Sequence, residues 1–417
     1  MEIIADFHIH SKFSRATSSD MVIANIAQAA QEKGIKIVAT GDFTHPKWLA
    51  MLKSELNEAE GGLYKYTDTY FILTTEVSNV YFKEGKLRRI HNIIFSPNFK
   101  EVEKINSFLS KYGSLNADGR PTLTLDAKKM LEGILEISPD SFIVPSHIWT
   151  PWFSIFGSKS GFDSIEECFG ELSKQIFALE TGLSSDPPMN WLLSSLDHYT
   201  LISNSDAHSP SRIGREANVF STMLNFYEIK EVLRTKDRGK FLYTIEFFPE
   251  EGKYHWDGHR NCNVVMSPDE AMANDDLCPV CGKPLTIGVA HRVLLLSDRP
   301  KGFIPENAIP YKSLVPLEEI IAEVIGTSRD TLGVRNIYLR LVREFKGEFN
   351  VLLHADLEDI KKYSNEQIAK AIELMRAGKI NVKPGYDGVF GKISILGNSK
   401  QGIDEFSNKK TGQLPLF

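Results

Sequence analysis

The sequence predicts an α/β fold in which strands close into a barrel, followed by a small metal-binding insert and a mainly helical C-terminal region. Three observations carry that expectation. Short β-branched or aromatic runs alternate with segments of helical period from the first residue to about residue 245, as in a parallel sheet built from strand–helix repeats. A Cys-Pro-x-Cys-Gly motif, Cys278 to Gly282, then breaks the pattern. From about residue 301 the apolar spacing is mostly helical. Domains are therefore expected at 1–245, 246–300 and 301–400, with a polar tail over 401–417.

Taken in order, residues 3–6 read as a buried strand. Val22, Ile23, Ile26, Ala27 and Ala30 recur at helical spacing, and Gly34 is placed to stop that helix. Residues 35–40, 71–76, 91–95, 142–147, 176–180 and 201–204 read as further strands, with helices at 99–112, 125–137 and 226–234. Cys168 shares a helical pattern with Ile165, Phe169 and Leu172 and is expected in the core. Past a Pro-rich connector at 303–311, a helix over 316–326 is bounded by Pro316 and Gly326, and helical segments follow at 336–345 and 365–377. Residues 383–392 are too glycine-rich for a core strand. They are expected as a surface loop whose Lys383 and Lys392 can contact a phosphate backbone.

Composition bounds the function classes. The chain has 417 residues, 42% hydrophobic and 24% charged, the balance of a soluble protein with room for two or three domains. No basic-then-apolar leader precedes Asp6, and no apolar run approaches the ~20 residues of a spanning helix. Three of the four cysteines stand at metal-ligand spacing, so a cytoplasmic protein without membrane association is expected. The net charge of −6 argues against an undirected nucleic-acid binder. It is unevenly spread: residues 1–282 hold 28 Lys and Arg against 38 Asp and Glu, and residues 283–417 hold 20 against 16. An acidic half suits cations, and a basic remainder suits a phosphate backbone.

Two stretches organise the candidate site: Asp6-Phe7-His8-Ile9-His10 and Ser205-Asp206-Ala207-His208. Each follows a strand run, and i, i+2 spacing puts His8 with His10, and Asp206 with His208, on one face. His8, His10, Asp42, His45, Glu76, His147, Glu180, Asp206 and His208 all fall at or just past strand C-termini, where a β/α barrel builds its active site, and His91 opens a strand. Imidazole and carboxylate donors without thiolates suit Zn²⁺, Mn²⁺ or Fe²⁺, and their number exceeds the needs of one ion. Two ions bridged by a carboxylate, for which Glu76 is the candidate, would supply hydroxide at neutral pH and clamp both oxygens of a displacement at phosphorus. In the insert, Cys278, Cys281, Cys262 and His259, or His255 in its place, have the spacing for one structural Zn²⁺. Arg15, Arg212 and Arg215 lie near the ligand stretches as phosphate contacts. Trp149, Trp152, Phe153 and Phe156, just after His147, offer π-faces for an extruded base or an opened duplex.

The His-x-His start, Glu76, His91, His147 and the final Ser-Asp-Ala-His resemble the polymerase-and-histidinol-phosphatase (PHP) domain. That resemblance implies a distorted β/α barrel over 1–245 hydrolysing phosphoesters with two or three divalent ions (Zn, Mn, Mg or Fe). One motif departs: where the superfamily usually shows Thr-Asp-His, this chain has Thr40-Gly41-Asp42-Phe43. Phe43 cannot ligate, so Asp42 and His45 are left for a third ion, and Glu180 either ligates or orients a ligand from behind.

Over nearly the whole chain, the barrel, the His-Arg-x-Cys…Cys-Pro-x-Cys-Gly insert, the helical region and the Lys-Pro-Gly-Tyr-Asp-Gly loop are similar to the endonuclease Q family. This implies a metal-dependent DNA repair endonuclease acting on damaged double- or single-stranded DNA. It would cut 5′ to uracil, hypoxanthine, xanthine or an abasic site and leave 3′-hydroxyl and 5′-phosphate ends. Asp206, Glu76 and His208, with Arg212 and Arg215, form the expected catalytic set. The last five residues, with Gln413, Leu414, Leu416 and Phe417 as contacts, look like the peptide by which bacterial repair proteins dock on the sliding clamp. A monomer is expected. The rival readings are a small-molecule phosphoesterase such as histidinol-phosphate phosphatase, and a DNA-binding module without catalysis.

Overall fold

The computed structural model describes residues 2–222 and 225–397; the clamp-like residues 413–417 lie outside them. The architecture is mixed α/β, with a central 11-stranded sheet and 14 α-helices among the described residues. Strand β1 (Ile3–Asp6) pairs parallel to β2 (Ile37–Ala39), which pairs parallel to β3 (Thr69–Lys83). β3 then folds back antiparallel onto β4 (Lys86–Ser96), in register from Leu73↔Ser96 to Lys83↔Lys86, and β4 runs antiparallel to β5 (Phe142–Pro145).

On the other side, β1 is antiparallel to a strand over Ala217–Phe220. Ala178–Glu180 and Thr200–Ile202 form a separate parallel pair. This pair lies between β5 and Ala217–Phe220: Ile148 N donates to Glu180 O at 3.0 Å and Ser203 N to Asn218 Oδ1 at 3.0 Å.

The sheet is thus mixed, not parallel throughout as the strand–helix alternation suggested. The main cause is the long β3–β4 hairpin. Its two-residue turn, Glu84 and Gly85, has positive φ at both positions (52° and 74°), the backbone that matches strand twist in a tight hairpin. His91 consequently sits inside β4 instead of opening a strand.

Helix α1 (Ile23–Lys33) buries Ile23, Ile26, Ala27 and Ala30 and ends at Gly34, as its spacing predicted. Cys168 is buried in a short helix over Ile165–Phe169. The C-terminal helices Leu317–Ile325, Leu332–Phe345, Glu348–Leu353, Leu357–Tyr363 and Glu366–Arg376 share one continuous apolar core with the sheet region. Between α1 and these helices, Lys33 Nζ stands 2.5 Å from Glu348 Oε2, both residues buried, and Glu348 Oε1 accepts from Leu317 N. No helix among the described residues is long and apolar enough to cross a membrane.

The insert has its own small core of Ala271, Cys278 and Leu285. The glycine-rich loop packs on the chain just before it: Gly385 N donates to Glu250 O at 2.8 Å and Gly391 N to Glu251 O at 3.1 Å. A Cβ at Gly391 would strike the Glu250 carbonyl oxygen. Gly385 and Gly391 therefore serve a close approach within the protein. Lys383 and Lys392 are exposed and directly opposed at the root of this hairpin.

Candidate metal centre

The two organising stretches lie side by side. Ile9 and Ala207 form a parallel bridge, and His10 N donates to Ala207 O at 2.9 Å. Asp6 ties them: its Oδ1 accepts from Ser205 N (3.1 Å) and its Oδ2 from Gly214 N (2.9 Å). Burial raises the Asp6 carboxyl to about 6 even against these hydrogen bonds.

Two donor groups form around this junction. The first comprises His8, His10, Glu76 and Asp206, with ligand atoms all within 4.8 Å of one another. His10 Nε2 lies 3.0 Å from Asp206 Oδ1 and 3.3 Å from Glu76 Oε2, and His8 Nε2 lies 3.5 Å from Glu76 Oε2. The second comprises Glu76, His91 and His147: Glu76 Oε1 is 2.8 Å from His91 Nδ1 and 3.0 Å from His147 Nε2. Glu76 belongs to both groups, with one oxygen on each side.

The donor chemistry fits divalent cations. His8 Nε2, His10 Nε2 and Asp206 Oδ1 are buried atoms without a hydrogen-bond partner among the described residues, yet they converge on one point. Buried polar atoms left so are rare unless an ion or water completes them. Three of the site's residues also hold left-handed backbone, Asp42 (φ 50°), His147 (φ 34°) and Asp206 (φ 46°), strain of the kind that collects at functional sites.

Electrostatics favour positive charge here. Burial alone would hold the His8 imidazole below its ordinary value, but Glu180, Glu76 and Asp206 outweigh it and lift it well above. Burial likewise opposes His10, and Asp42 and then Asp206 and Glu76 raise it. Glu76 is held well below the usual carboxylate range: burial resists ionisation, but His91, Arg120 and His8 surround it. Burial drives His91 itself down to about 4 despite Glu76, leaving a neutral imidazole at neutral pH. Arg120 adds a guanidinium, charged at any working pH, beside the same carboxylate.

Several expected ligands stand one layer back. Asp42 Oδ1 lies 3.0 Å from His10 Nδ1, and its Oδ2 accepts from Ser11 N, Ser11 Oγ and Ser14 Oγ at 2.6–2.8 Å. Glu180 holds His8 Nδ1 at 3.0 and 3.1 Å and accepts from His147 N and Asn204 Nδ2. Both carboxylates therefore face imidazole Nδ1 atoms and lie outside the donor groups: Asp42 departs from the ligand role expected of it, and Glu180 takes the orienting position that was the second of its two expected roles. His45 is also outside: it stacks on Phe13 with ring centroids 4.4 Å apart, at the start of a helix over Pro46–Glu55. Phe43 is core. His208 is half-buried beside the first group, its ring 4.5 Å from His10 and its Nδ1 2.8 Å from Asp206 O, but it is not one of the four clustered donors.

The proposed phosphate and base contacts divide in the same way. Arg212 is tied to Glu319 at 3.1 Å on the first C-terminal helix and Arg215 donates to Ser205 O at 3.2 Å, and neither is within ion-pair distance of Glu76 or Asp206. Trp149 is buried, donates to Asn190 Oδ1 at 2.8 Å and stacks on Phe156, which removes both from any DNA face. Trp152 is exposed beside Tyr254, and Phe153 is half-buried over His91 at 4.8 Å. Arg15 is exposed. Arg120, which the sequence reading missed, reaches the centre directly: its Nη1 lies 3.0 Å from Glu76 Oε2.

In the insert, His259, Cys262, Cys278 and Cys281 bring their donor atoms within 4.8 Å of one another, and His259 Nδ1 lies 3.3 Å from Cys281 Sγ. His255 is buried away from this group. Desolvation opposes ionisation of Cys278, but N–H groups of Val280 and Cys281 and the His259 ring bring its thiol down to about 6. Desolvation and the neighbouring cysteines push Cys262 up to about 11. One imidazole and three sulfurs this close are a donor set that suits tetrahedral zinc.

Comparison with known proteins follows the same outline. Residues 316–379 match the family described as MJ0043 C-terminal domain. The chain is similar to Bacillus subtilis YqxK, 28% identical over 410 residues that cover 94% of this chain and 99% of that protein. It is also similar to Methanocaldococcus jannaschii MJ0043, 34% identical over 274 residues; the match takes in 63% of this chain but spans only 34% of the length of MJ0043. Among solved structures it resembles the lesion-specific endonuclease PfuEndoQ of Pyrococcus furiosus: 32% identity, 95% of this chain and 96% of that chain covered, TM-score 0.85. Endonuclease Q in complex with a 27-mer duplex carrying an abasic lesion at the active site matches as well, with 32% identity, 98% and 100% coverage and a TM-score of 0.85.

Proposed function

The chain belongs to the endonuclease Q family, and on that footing we propose that it is a metal-dependent DNA repair endonuclease cutting the phosphodiester 5′ to deaminated bases or abasic sites. The observation that carries the reading is the pair of donor groups sharing Glu76, with three buried donor atoms converging unpartnered. On this reading residues 1–245 are a distorted β/α barrel of PHP type, 246–300 a zinc-binding domain and 301–400 a helical DNA-binding domain. His8, His10, Glu76 and Asp206 would hold one divalent ion and Glu76, His91 and His147 a second, with His208 at hand for a third.

Such ions supply Lewis-acid polarisation of a phosphoryl oxygen and an activated water. The chain's own residues do the positioning. Glu180 and Asp42 grip the Nδ1 atoms of His8 and His10 and so point both Nε2 atoms inward. Arg215 fixes the Ser205 carbonyl beneath Asp206. Phe153 presents an aromatic face next to the second group, and Trp152, one residue earlier and exposed beside Tyr254, offers another to an unstacked base. Lys383 and Lys392 stand directly opposed and exposed, an arrangement that costs stability unless an anion lies between them. His259, Cys262, Cys278 and Cys281 would hold a structural zinc, and residues 413–417 would engage a bacterial sliding clamp.

A labelled duplex with one uracil, incubated with the full chain and Mn²⁺, Mg²⁺ or Zn²⁺, tests the reading. A single nick 5′ to the uracil with 3′-hydroxyl and 5′-phosphate ends is expected. Hydrolysis of small phosphate esters alone would favour a phosphoesterase, and retention of the duplex without cleavage a binding module.

A further inference from the structure

One cation at the centre has no role in this account. Arg120 Nη1 stands 3.0 Å from Glu76 Oε2, the oxygen that also faces His8 Nε2 and His10 Nε2. Among the described residues, no other Lys or Arg is within ion-pair distance of Glu76 or Asp206. The Glu76 side chain is sealed, whereas that of Arg120 keeps 27% of its exposure. Arg120 is thus a guanidinium that runs from the donors out to solvent.

The backbone carrying it is fixed to the centre on several sides. Asp118 Oδ1 accepts from the N–H groups of Arg15 (3.2 Å) and Arg120 (3.1 Å). Gly119 N donates to Phe13 O at 3.0 Å, Thr44 Oγ1 donates to Gly119 O at 3.1 Å, and Ser78 N donates to Pro121 O at 3.0 Å. Any Cβ at Gly119 would strike Asp42 Oδ2 and Ser14 Oγ, the pair that orients His10. The loop therefore has no room to shift against the donors, and what freedom remains lies in the Arg120 side chain.

We infer that Arg120 is the phosphate-binding residue of this centre: it covers Glu76 when no cation is held there, and passes its guanidinium to a non-bridging oxygen of the scissile phosphate when one is. The inference rests on the nuclease reading. A planar guanidinium fork fits carboxylate and phosphate equally, so the exchange keeps its hydrogen bonds. Like charge would drive it, because a divalent ion held by the first donor group would repel a guanidinium that stands 3.0 Å from Glu76 Oε2. Arg212 and Arg215, the basic residues expected in this role, are engaged with Glu319 and Ser205.

The test combines Mn²⁺ calorimetry on chelator-treated full-length protein with single-turnover nicking of a uracil duplex, for wild type, Arg120→Ala and Arg120→Lys. Arg120→Ala should bind Mn²⁺ more tightly by about fivefold or more, an ordinary size for coupling between two sites. It should nick more slowly by about 10²–10³-fold, as when one charge-stabilising donor is removed. Arg120→Lys should fall between wild type and Arg120→Ala in both measurements. A residue that merely anchors Glu76 predicts the opposite sign in calorimetry. Mn²⁺ affinity that weakens or stays put in Arg120→Ala, or nicking within about threefold of wild type, overturns the inference. Wild type that takes up Mn²⁺ but leaves the duplex whole defeats the nuclease reading instead, while the sign of the calorimetric change still decides whether Arg120 competes with the cation.

Discussion

Glu180→Gln probes how the donors are held. The carboxylate is fully buried and takes three partners: His8 Nδ1 at 3.0 and 3.1 Å, His147 N at 2.9 Å and Asn204 Nδ2 at 2.8 Å. Glutamine keeps the shape but turns one acceptor oxygen into an NH₂ donor. With its oxygen in the Oε1 position, the His147 N–H meets that NH₂; with its oxygen in the Oε2 position, the Asn204 amide does. Asn204 cannot turn to help, because its Oδ1 already accepts from Phe7 N and Asn218 Nδ2. One buried donor is left unsatisfied either way, a cost of about 1–3 kcal/mol. Loss of the carboxylate behind an imidazole ligand should weaken metal binding by about 10–100-fold.

Charge works the other way on His8. Burial holds the His8 imidazole down, and Glu180 is the leading group that raises it, so the variant sheds that proton at lower pH and protons compete less for the ring. The affinity deficit should therefore widen as pH rises, and be narrower near about pH 7 than near about pH 8. Calorimetry with Mn²⁺ at both pH values, beside denaturant unfolding of the metal-free protein, reads both effects. Affinity within about threefold of wild type at the higher pH, with unchanged stability, would refute the positioning role.

Further outcomes concern other parts of the chain. Asp206→Ala should slow nicking by about 10³-fold or more while lesion-duplex affinity stays near wild type, since it removes a donor and not a DNA contact; gel-shift and nicking assays separate the two. Cys278→Ser should drop zinc content from about one equivalent to none, expose residues 257–285 to protease and weaken duplex binding; full zinc by elemental analysis would contradict the site. Deleting residues 413–417 should leave cleavage of short duplexes intact and abolish retention on an immobilised bacterial sliding clamp.

Glu246→Gln should change the pH profile of stability. Burial raises Glu246 to about 8, Glu251 to about 8 and Asp186 to about 7, so the folded protein binds more protons than the unfolded chain. That stability is complete below the ordinary carboxylate range and drains as pH rises through the folded values. The variant should lose less stability between about pH 5 and about pH 8, and parallel denaturant midpoints for the two proteins would refute it.

How far the sequence was legible depends on what kind of information each feature needs. His8, His10, Asp206 and their strands could be read because i, i+2 spacing at a strand end fixes which side chains share a face. The helix ends at Gly34 and Gly326 were legible for the same local reason. The β3–β4 hairpin was not, because Glu84-Gly85 lacks the Asn-Gly or Asp-Gly signature that announces such a turn. Asp42 and Glu180 could not be told from ligands: a carboxylate at a strand end looks the same whether it meets an ion or an imidazole Nδ1, and only the distances separate the two. Arg120 carried no signal at all. Its turn, Asp118-Gly119-Arg120-Pro121, has the composition of any surface loop, and its importance comes from contacts with residues 40 and more positions away.

The Lys33–Glu348 pair bears on how this protein can be divided. An ammonium and a carboxylate sealed together across the boundary between α1 and the C-terminal helices make each half the solvent of the other's charge. Truncating Glu348 within the intact protein would leave the Lys33 ammonium sealed without a partner, a penalty of about 3–5 kcal/mol, whereas removal of the helical half would return that ammonium to water and open the apolar core shared with the sheet region. Any attempt to trim this protein to its metal-holding half must therefore first cover the apolar face on which the C-terminal helices pack, because residue 33 would find water by itself.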